Sequence, residues 1–486
     1  MDDGDNGRRW WILAVLGIAQ LMVVLDVTVV NIALPSAQKA LGFSNDNRQW
    51  IITAYALAFG SLLLIGGRIG DMFGRKRTFI GGAIGFAVAS AIGGAAPSFE
   101  VLVAARALQG AFAALLAPAA LSLLTTTFTD PGERGRAFAV WGAIGGGAGA
   151  FGLLLGGLLT QSLSWRWTLF VNLAFAVPAA LGALALLRSR DNVARPRIDV
   201  PGTATATGGL FALVYGFAHA QSHGWGSSTT VAFLVAGVVL LAAFVAIQMR
   251  SRHPLLPLRI VLDRNRGGSF LALGALGAGM FGVFLFLTYY LQQTLGYSPL
   301  KTGVAFLPLT GALVISAGMS TRLTPRAGPR PIIAAGMVLT AVGLVLLAQL
   351  GMHASYATQV LPGLTIMGAG IGLVFPPATD LATLGVDPAD AGVASALVNT
   401  TSQVGGSLGT ALLSTLAATA ASSFVVGKQP TADLLAHAAV HGYTTAFWWA
   451  AGIFAIGALL TFLLLRGNAR PLQAGIEPEV QPAGAS

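Results

Sequence analysis

Apolar runs of about 20 residues, repeated from one end of the chain to the other, constrain this sequence more than any other feature. Fourteen are marked by their composition: 10–31, 50–67, 79–97, 101–127, 137–160, 167–187, 202–221, 230–248, 267–292, 303–321, 331–349, 357–380, 392–419 and 444–465. Inside lipid every backbone N–H and C=O must find a partner within its own segment or a closed barrel, and runs this long and this uniformly apolar predict helices rather than barrel strands. Only 9% of the 486 residues are charged, against about 25% in soluble domains, so the chain cannot cover a water-facing surface with charge. The 63 glycines suit helices whose backbones approach closely in a bilayer. The expected fold class is an all-α polytopic membrane protein with 14 transmembrane helices.

An even number of spans puts both termini on one side, and the basic residues say which. With the termini inside, 22 of the 28 Lys and Arg residues fall on inner segments and 5 on outer loops. The positive-inside rule therefore makes both termini cytoplasmic. The same asymmetry accounts for the net charge of +10. No basic stripe with interleaved aromatics exists, so nucleic acid is not an expected partner. The absence of cysteine excludes disulfides, thiolate metal sites and thiol catalysis. At the N-terminus, Asp2, Asp3 and Asp5 precede Arg8 and Arg9, and the first apolar run contains Asp26. That pattern predicts a retained first helix rather than a cleaved signal.

The chain also carries a repeat. Asp130-Pro131-Gly132-Glu133 and Asp387-Pro388-Ala389-Asp390 each open a helix from an inner loop, with Pro118 and Pro377 at similar distances upstream. Asp at the N-cap, Pro at the first helical position and an acid two residues later give the pattern a local reason. Two independent helix starts would produce it too. Matching segment order favours duplication, with segments 7 and 8 as an insertion. The expected organisation is a cytoplasmic N-tail 1–9, a six-helix bundle 10–187, a linker with two inserted helices 188–266, a second six-helix bundle 267–465 and a cytoplasmic C-tail 466–486.

Charge inside a bilayer is costly and marks function by default. Asp26 lies roughly 24 Å along the first helix at 1.5 Å per residue, in the outer half of the membrane. Burial there disfavours its charged form, which suits a group that takes up and releases a proton as water access alternates. A static, hydrogen-bonded carboxylate is the bland alternative. Arg106, followed by Gln109 and Gly110, enters helix 4 from the outside at a compatible depth. It does not titrate but can bias a nearby carboxylate; snorkelling to the interface is the alternative. The inner segment from Gly67 to Arg77 packs Gly67, Gly70, Asp71, Gly74 and Arg75 into what reads as a short turn. There Asp71 suits a helix N-terminus and Arg75 suits carboxylates or exposed carbonyls. Lys76 and Arg77 need no more than the positive-inside rule. Helix 5 carries a glycine stripe that includes Gly145, Gly149, Gly152, Gly156 and Gly157, which permits tight packing and bending.

Polar or aromatic residues within apolar spans are the candidates for lining a substrate cavity. Asn31 follows Asp26 on helix 1, Trp50 and Tyr55 begin helix 2, and Gln109 lies on helix 4. Tyr289, Tyr290 and Gln292 end helix 9; Asn399 and Gln403, four apart, share one helix face; Asp380 ends helix 12. Interface belts and interhelical hydrogen bonds explain such residues equally well. The histidines show no metal spacing, and no phosphate-cradling loop with lysine or nucleophile elbow is present, so neither a metal site, ATP-driven transport nor an enzyme is expected.

Taken together, five elements resemble the major facilitator superfamily, and more narrowly its fourteen-helix drug:proton antiporter branch. Leu25-Asp26-Val27-Thr28-Val29-Val30-Asn31-Ile32-Ala33-Leu34-Pro35 is similar to that branch's helix 1 motif, and Gly67 to Arg77 resembles the superfamily's helix 2–3 motif. Arg106 with Gln109 and Gly110 resembles the helix 4 motif, and the helix 5 glycines resemble the antiporter motif. Trp165-Arg166-Trp167 with Phe170 and Asn172 is similar to the entry to helix 6. The resemblance implies a major facilitator fold, with Asp26 as protonation site, Arg106 as its polar partner, and Asp71 with Arg75 as an inner gate. Two departures stand out: Leu153 occupies the place of the antiporter motif's usual proline, and Pro325 stands opposite Asp71 in the repeat, although Arg322, Gly328 and Arg330 persist. The implied function is export of small lipophilic compounds, cationic ones included, in exchange for protons. It needs no cofactor beyond the proton gradient, and is carried out by a monomer in the bacterial inner membrane. A proton-coupled peptide importer would carry an acid–acid–arginine motif on helix 1, which offers only Asp26. A non-transporting receptor or scaffold would be expected to carry larger soluble domains.

Overall fold

The computed structural model describes residues 3–45, 47–128, 130–187, 199–251, 254–386, 391–429 and 431–466, and among these every regular element is a helix. The first six are α1 (Asp3–Leu41), α2 (Trp50–Phe73), α3 (Arg75–Gly94), α4 (Phe99–Thr127), α5 (Pro131–Ser162) and α6 (Trp167–Leu186). After them come α7 (Val200–His223), α8 (Ser228–Arg250) and the single turn α9 (Leu258–Val261). The last group comprises α10 (Arg264–Tyr289), continued by a π-helical turn at Tyr290–Thr294, then α11 (Pro299–Ala305), α12 (Leu307–Ala327), α13 (Pro329–Leu347), α14 (Leu361–Thr383), α15 (Ala391–Val425) and α16 (Ala432–Leu464). Among the described residues eleven helical spans are long and apolar enough to cross a membrane, and Trp50–Leu63 and Phe151–Ser162 are shorter apolar stretches.

The helices overrun some predicted segments, α1 reaching Leu41 beyond 10–31 and α16 starting at Ala432 ahead of 444–465, and two connections also differ from the sequence reading. Residues 67–77 are not a loop: α2 runs through Gly67, Gly70 and Asp71 to Phe73, and α3 begins at Arg75, so the connection is the single residue Gly74. Its φ of +92° is open to glycine and hostile to side chains with a Cβ, which is why one residue suffices. The predicted segment 303–321 is broken at Phe306, because Pro308 in the first turn of α12 has no N–H to continue α11. Ser298 caps α11, accepting from the N–H of Lys301 with Pro299 at the first helical position.

Helices α1–α6 pack on one another, α10–α16 do likewise, and α7 with α8 forms a pair that rests on α2 and α15. The two groups repeat their packing devices. Gly328, with φ +82°, joins α12 to α13 as Gly74 joins α2 to α3. Arg8 at the start of α1 donates to the carbonyl of Leu186 at the end of α6, and Arg264 at the start of α10 donates to that of Leu463 at the end of α16. Both place a cation on the negative end of a helix dipole. Of the Asp-Pro pair used to detect the repeat, Asp130 accepts from the N–H of Glu133 at the start of α5; residues 387–390 lie outside the described residues.

One face of the assembly carries the start of α1 and the end of α16; the opposite face is referred to as the far face. The core is arranged unequally between them. Towards the start of α1 the first group has its own cluster, built around Leu16, Phe79, Phe86, Leu116 and Phe128. Towards the far face the second group's core runs on through Ile32, Leu34, Ile51 and Leu153 of the first group. The far face is where the two groups close on each other.

Candidate functional site

Three interhelical contacts set the site. Gly110 on α4 lies so close to the Tyr55 carbonyl of α2 that a Cβ there would overlap it. At the other side, Arg166 donates to the carbonyls of Gly94 and Ala96 at 2.9 and 2.7 Å, fastening the start of α6 to the end of α3. Ser90 on α3 then donates to the Leu169 carbonyl of α6 at 2.8 Å. These contacts bring α2, α3, α4 and α6 around the middle of α1, where Asp26 points inward.

Asp26 has no exposed surface, and Arg106 is 2% exposed. One N–H of Arg106 reaches the Asp26 Oδ2 at 2.5 Å. The Asp26 Oδ1 accepts from the amides of Asn172 at 2.7 Å and Gln109 at 3.1 Å. Both amides also donate to the Ser90 Oγ, at 2.9 and 3.0 Å. Arg106 is held by further contacts: Nη1 donates to the Gln109 Oε1 at 2.9 Å, Nε donates to the Ile51 carbonyl at 3.1 Å, and the guanidinium stacks over the Tyr55 ring at 4.4 Å. A buried ion pair is tolerated when hydrogen bonds satisfy its remaining polar atoms, and this one has them.

The chemical consequence follows from those donors. As a carboxylate, Asp26 accepts an arginine N–H and two amide N–H groups. A proton added to it would cancel the charge facing Arg106 and place an O–H among groups that are themselves donors. Protonation and the packing of α1 against α4 and α6 are therefore linked.

The structure brings Asp26, Arg106, Gln109 and Tyr55 together, and adds Asn172 and Ser90. Asn172 was noted only as part of the helix 6 pattern, and Ser90 not at all; a serine in an apolar span is small and uncharged, and its place in the sequence does not tell it from serines that bond only their own helix. Of the other cavity candidates, Asn31 bonds its own helix at the Val27 carbonyl, and Gln403 lies where α15 meets Gly60 of α2. Asn399 and Asp380 are exposed on α15 and α14. Four others are engaged elsewhere. Trp50 packs against Tyr215 of α7, and the Tyr290 hydroxyl donates to the Gly351 carbonyl. Gln292 donates to the Ile32 carbonyl of α1 at 3.0 Å, which makes it part of the far-face closure. Tyr289 lies under the guanidinium of Arg48.

Among the α2–α3 residues, Arg75 donates to the Ser122 carbonyl of α4 at 3.5 Å, and the side chain of Asp71 lies outside the described residues. Gly67 and Gly70 have room for a Cβ, so within this group only Gly74 is demanded by the backbone. On α5, a Cβ at Gly152 would overlap the Thr28 hydroxyl, one at Gly156 would lie 2.9 Å from Val29 of α1, and one at Gly157 would lie 2.7 Å from Leu300 of α11. Gly149 has open space and Gly145 lies outside the described residues. The α5 stripe therefore serves two contacts: the α1 crossing and the far-face seam.

Residues 16–410 match the profile of the Major Facilitator Superfamily. The chain is 50% identical over 485 residues to the puromycin resistance protein pur8 of Streptomyces alboniger, covering 99% of this chain and 96% of that one. It is 40% identical to the cephamycin export protein CmcT of Amycolatopsis lactamdurans, over 82% of this chain and 83% of that protein. It is 35% identical to the tetracenomycin C resistance and export protein of Streptomyces glaucescens, over 89% and 80%. Among solved structures, an auto-inhibited peptide transporter of the POT family superposes with a TM-score of 0.68 at 17% identity, over 96% of this chain and 98% of that one, a likeness of fold.

Proposed function

The chain belongs to the major facilitator superfamily, and from that premise we propose that it exports small lipophilic compounds, antibiotics among them, in exchange for protons. The observation that carries the reading is the Asp26–Arg106 pair, a carboxylate and a guanidinium in contact and both buried among apolar helices. The relatives' names supply the substrate class, and puromycin is the first compound to test.

In this reading the chain crosses the bacterial inner membrane 14 times, with both termini cytoplasmic. Its two groups of six spans rock about a central cavity while α7 and α8 ride at their edge. The far face is then the outer face, and its closure makes this the inward-facing conformation. Drug enters from the cytoplasm with Asp26 ionised and held by Arg106, Gln109 and Asn172. Once the far face opens, drug leaves and a proton reaches Asp26. Arg106 then lacks its counter-charge, and the protonated protein returns to release its proton inside. The gradient supplies about 1.4 kcal/mol per pH unit and about 2.3 kcal/mol per 100 mV. Arg106 does not titrate; it fixes the difference between the two states of Asp26. Asn172, Gln109 and Ser90 set the carboxylate's position, and Tyr55 holds the guanidinium from the α2 side.

The test is uptake of puromycin or a lipophilic dye into inverted membrane vesicles energised by a proton gradient. The parent is expected to accumulate substrate and release protons when drug is added. Asp26→Asn and Arg106→Ala should lose the gradient-driven component. Full gradient-driven transport by Asp26→Asn would remove the carboxylate from coupling and overturn the reading.

A further inference from the structure

A second buried cation lies on the far face, outside the cluster around Asp26. Arg48, in the segment between α1 and α2, is 7% exposed. Its guanidinium sits 4.2 Å from the ring centre of Tyr289, 5.4 Å from that of Tyr443 and 5.8 Å from that of Phe286. One of its N–H groups also points at the Tyr443 hydroxyl, at 3.4 Å. The cation belongs to the first group of helices, and all three rings belong to α10 and α16 of the second. The rings also pack without the arginine: Phe286 meets Tyr443 at 6.0 Å and Phe447 edge-on at 6.4 Å between ring centres.

We infer that Phe286, Tyr289 and Tyr443 form a cation-binding cage, occupied here by Arg48 as the bolt of the closed far face, and able to take a small organic cation of the guanidinium or alkylammonium class once Arg48 withdraws. Guanidinium is planar and weakly hydrated, so it loses little on entering an aromatic enclosure and gains the attraction of several ring faces. Gln292 bonds Ile32, and Gly157 approaches Leu300, along the same seam. Opening the seam moves the α1–α2 segment away from α10 and α16, and the cage loses its cation. The inference rests on the alternating-access reading only for that last step.

The chain has no cysteine, so one introduced thiol reports the opening. Leu153→Cys suits this, because Leu153 is 1% exposed and its carbonyl lies against Gly303 of α11 across the seam. The rate of maleimide labelling is measured on purified protein in nanodiscs, without drug or gradient. Replacing Arg48 by Ala should speed labelling roughly thirtyfold, the scale of a desolvated cation–π contact. Guanidinium chloride at millimolar concentration should slow it again, with sodium chloride at equal ionic strength as the control. Adding Tyr289→Leu should abolish that rescue. Arg48→Gln repeats the series should the alanine variant fail to purify. Labelling as slow as in the parent, or fast labelling that guanidinium leaves unchanged while Tyr289 is present, would overturn the cage. Because this readout requires no transport, a protein that passes it yet fails to move drug would sink the export reading and leave the cage standing.

Discussion

The two groups of helices share their scaffolding and differ in what they bury. Both join their second and third spans through one glycine of positive φ, Gly74 and Gly328. Both anchor the start of their first span on the carbonyl end of their last, through Arg8 and Arg264. Yet among the described residues the three buried charged side chains, Asp26, Arg48 and Arg106, all belong to the first group. Where the first group has an ion pair with amide partners, the second has hydroxyls such as Thr340 and Thr461, which return their hydrogen bonds to their own helices. The two groups share the devices that a bilayer requires of any helix pair. The costly chemistry sits in one copy, so one half handles charge while the other offers surfaces, including the aromatic cage, for the first half to close on.

The largest effect expected from this asymmetry is on stability as well as transport. Arg106→Ala strands a carboxylate that has no exposed surface, and breaking a buried pair in this way costs about 3–5 kcal/mol. Asp26→Asn strands the arginine with a loss of the same order. The double variant Asp26→Asn/Arg106→Gln should regain most of that stability while remaining uncoupled, since no buried charge is left unpaired. In the second group Thr340→Val, a change of similar shape at a buried position, should cost only about 1 kcal/mol. Thermal unfolding of the purified variants checks the set. Equal losses in the two groups would erase the distinction drawn between them.

Much of this was legible in the sequence because the bilayer makes certain residues conspicuous. Long apolar runs can be little else than helices, and a carboxylate or guanidinium within one requires a partner, so Asp26 and Arg106 stand out. What was not legible depends on approach in three dimensions. Asn172 lies 146 positions from Asp26 along the chain, and nothing in the sequence says which of the helical amides meets the carboxylate. Arg48 reads as an ordinary loop cation; its one signal is that it sits on an outer segment where basic residues are scarce. Glycine misled in both directions. The stretch 67–77 looks like a turn, yet all but Gly74 is helical, whereas Gly66, which drew no notice, carries the closest approach of α2 to α4.

That approach supplies the next test. A Cβ at Gly66 would overlap the Ala114 carbonyl of α4. With Gly74 and Gly328 in register, the equivalent residue of the second group is Ser320, buried, with its hydroxyl 3.4 Å from the Leu373 carbonyl of α14. One copy thus touches backbone to backbone, and the other through a side chain. Gly66→Ser should therefore overpack the first group by about 1–3 kcal/mol. The reverse change, Ser320→Gly, should cost about 1 kcal/mol through helix propensity and one lost bond. Their ratio measures how far the two groups differ in packing, independently of charge.

The two one-residue connections should behave alike. Gly74 and Gly328 have φ of +92° and +82° with extended ψ, a region that residues with a Cβ enter at roughly 1–3 kcal/mol. At Gly74 a Cβ would meet open space, so the backbone conformation alone sets the cost there. Alanine at each should then give similar losses in unfolding temperature. A much larger loss at Gly74 would mean that the α2–α3 connection has a load that its partner lacks.

The smallest effects concern the anchoring arginines, and here the comparison predicts an order. Arg8 gives two N–H groups to the Leu186 carbonyl, at 3.2 and 2.7 Å, and is half-buried. Lys76 reinforces the same helix end by donating to the carbonyls of Leu184 and Leu187. Arg264 gives one N–H to Leu463, at 3.1 Å in an exposed setting, and the neighbouring Arg330 stacks on Phe462 instead of reaching a carbonyl. A cation at a helix C-terminus is worth about 0.3–1 kcal/mol when exposed and more when partly buried. Arg8→Ala should therefore destabilise more than Arg264→Ala, and Arg8→Ala combined with Lys76→Ala should exceed either, because the last carbonyls of α6 would then lose both of their cations. Added salt should narrow the gap between parent and Arg264→Ala more than that between parent and Arg8→Ala, since screening reaches the exposed contact first. If salt acts on both equally, the two helix ends are equally wet, and a larger loss on Arg8→Ala has to come from something other than its burial.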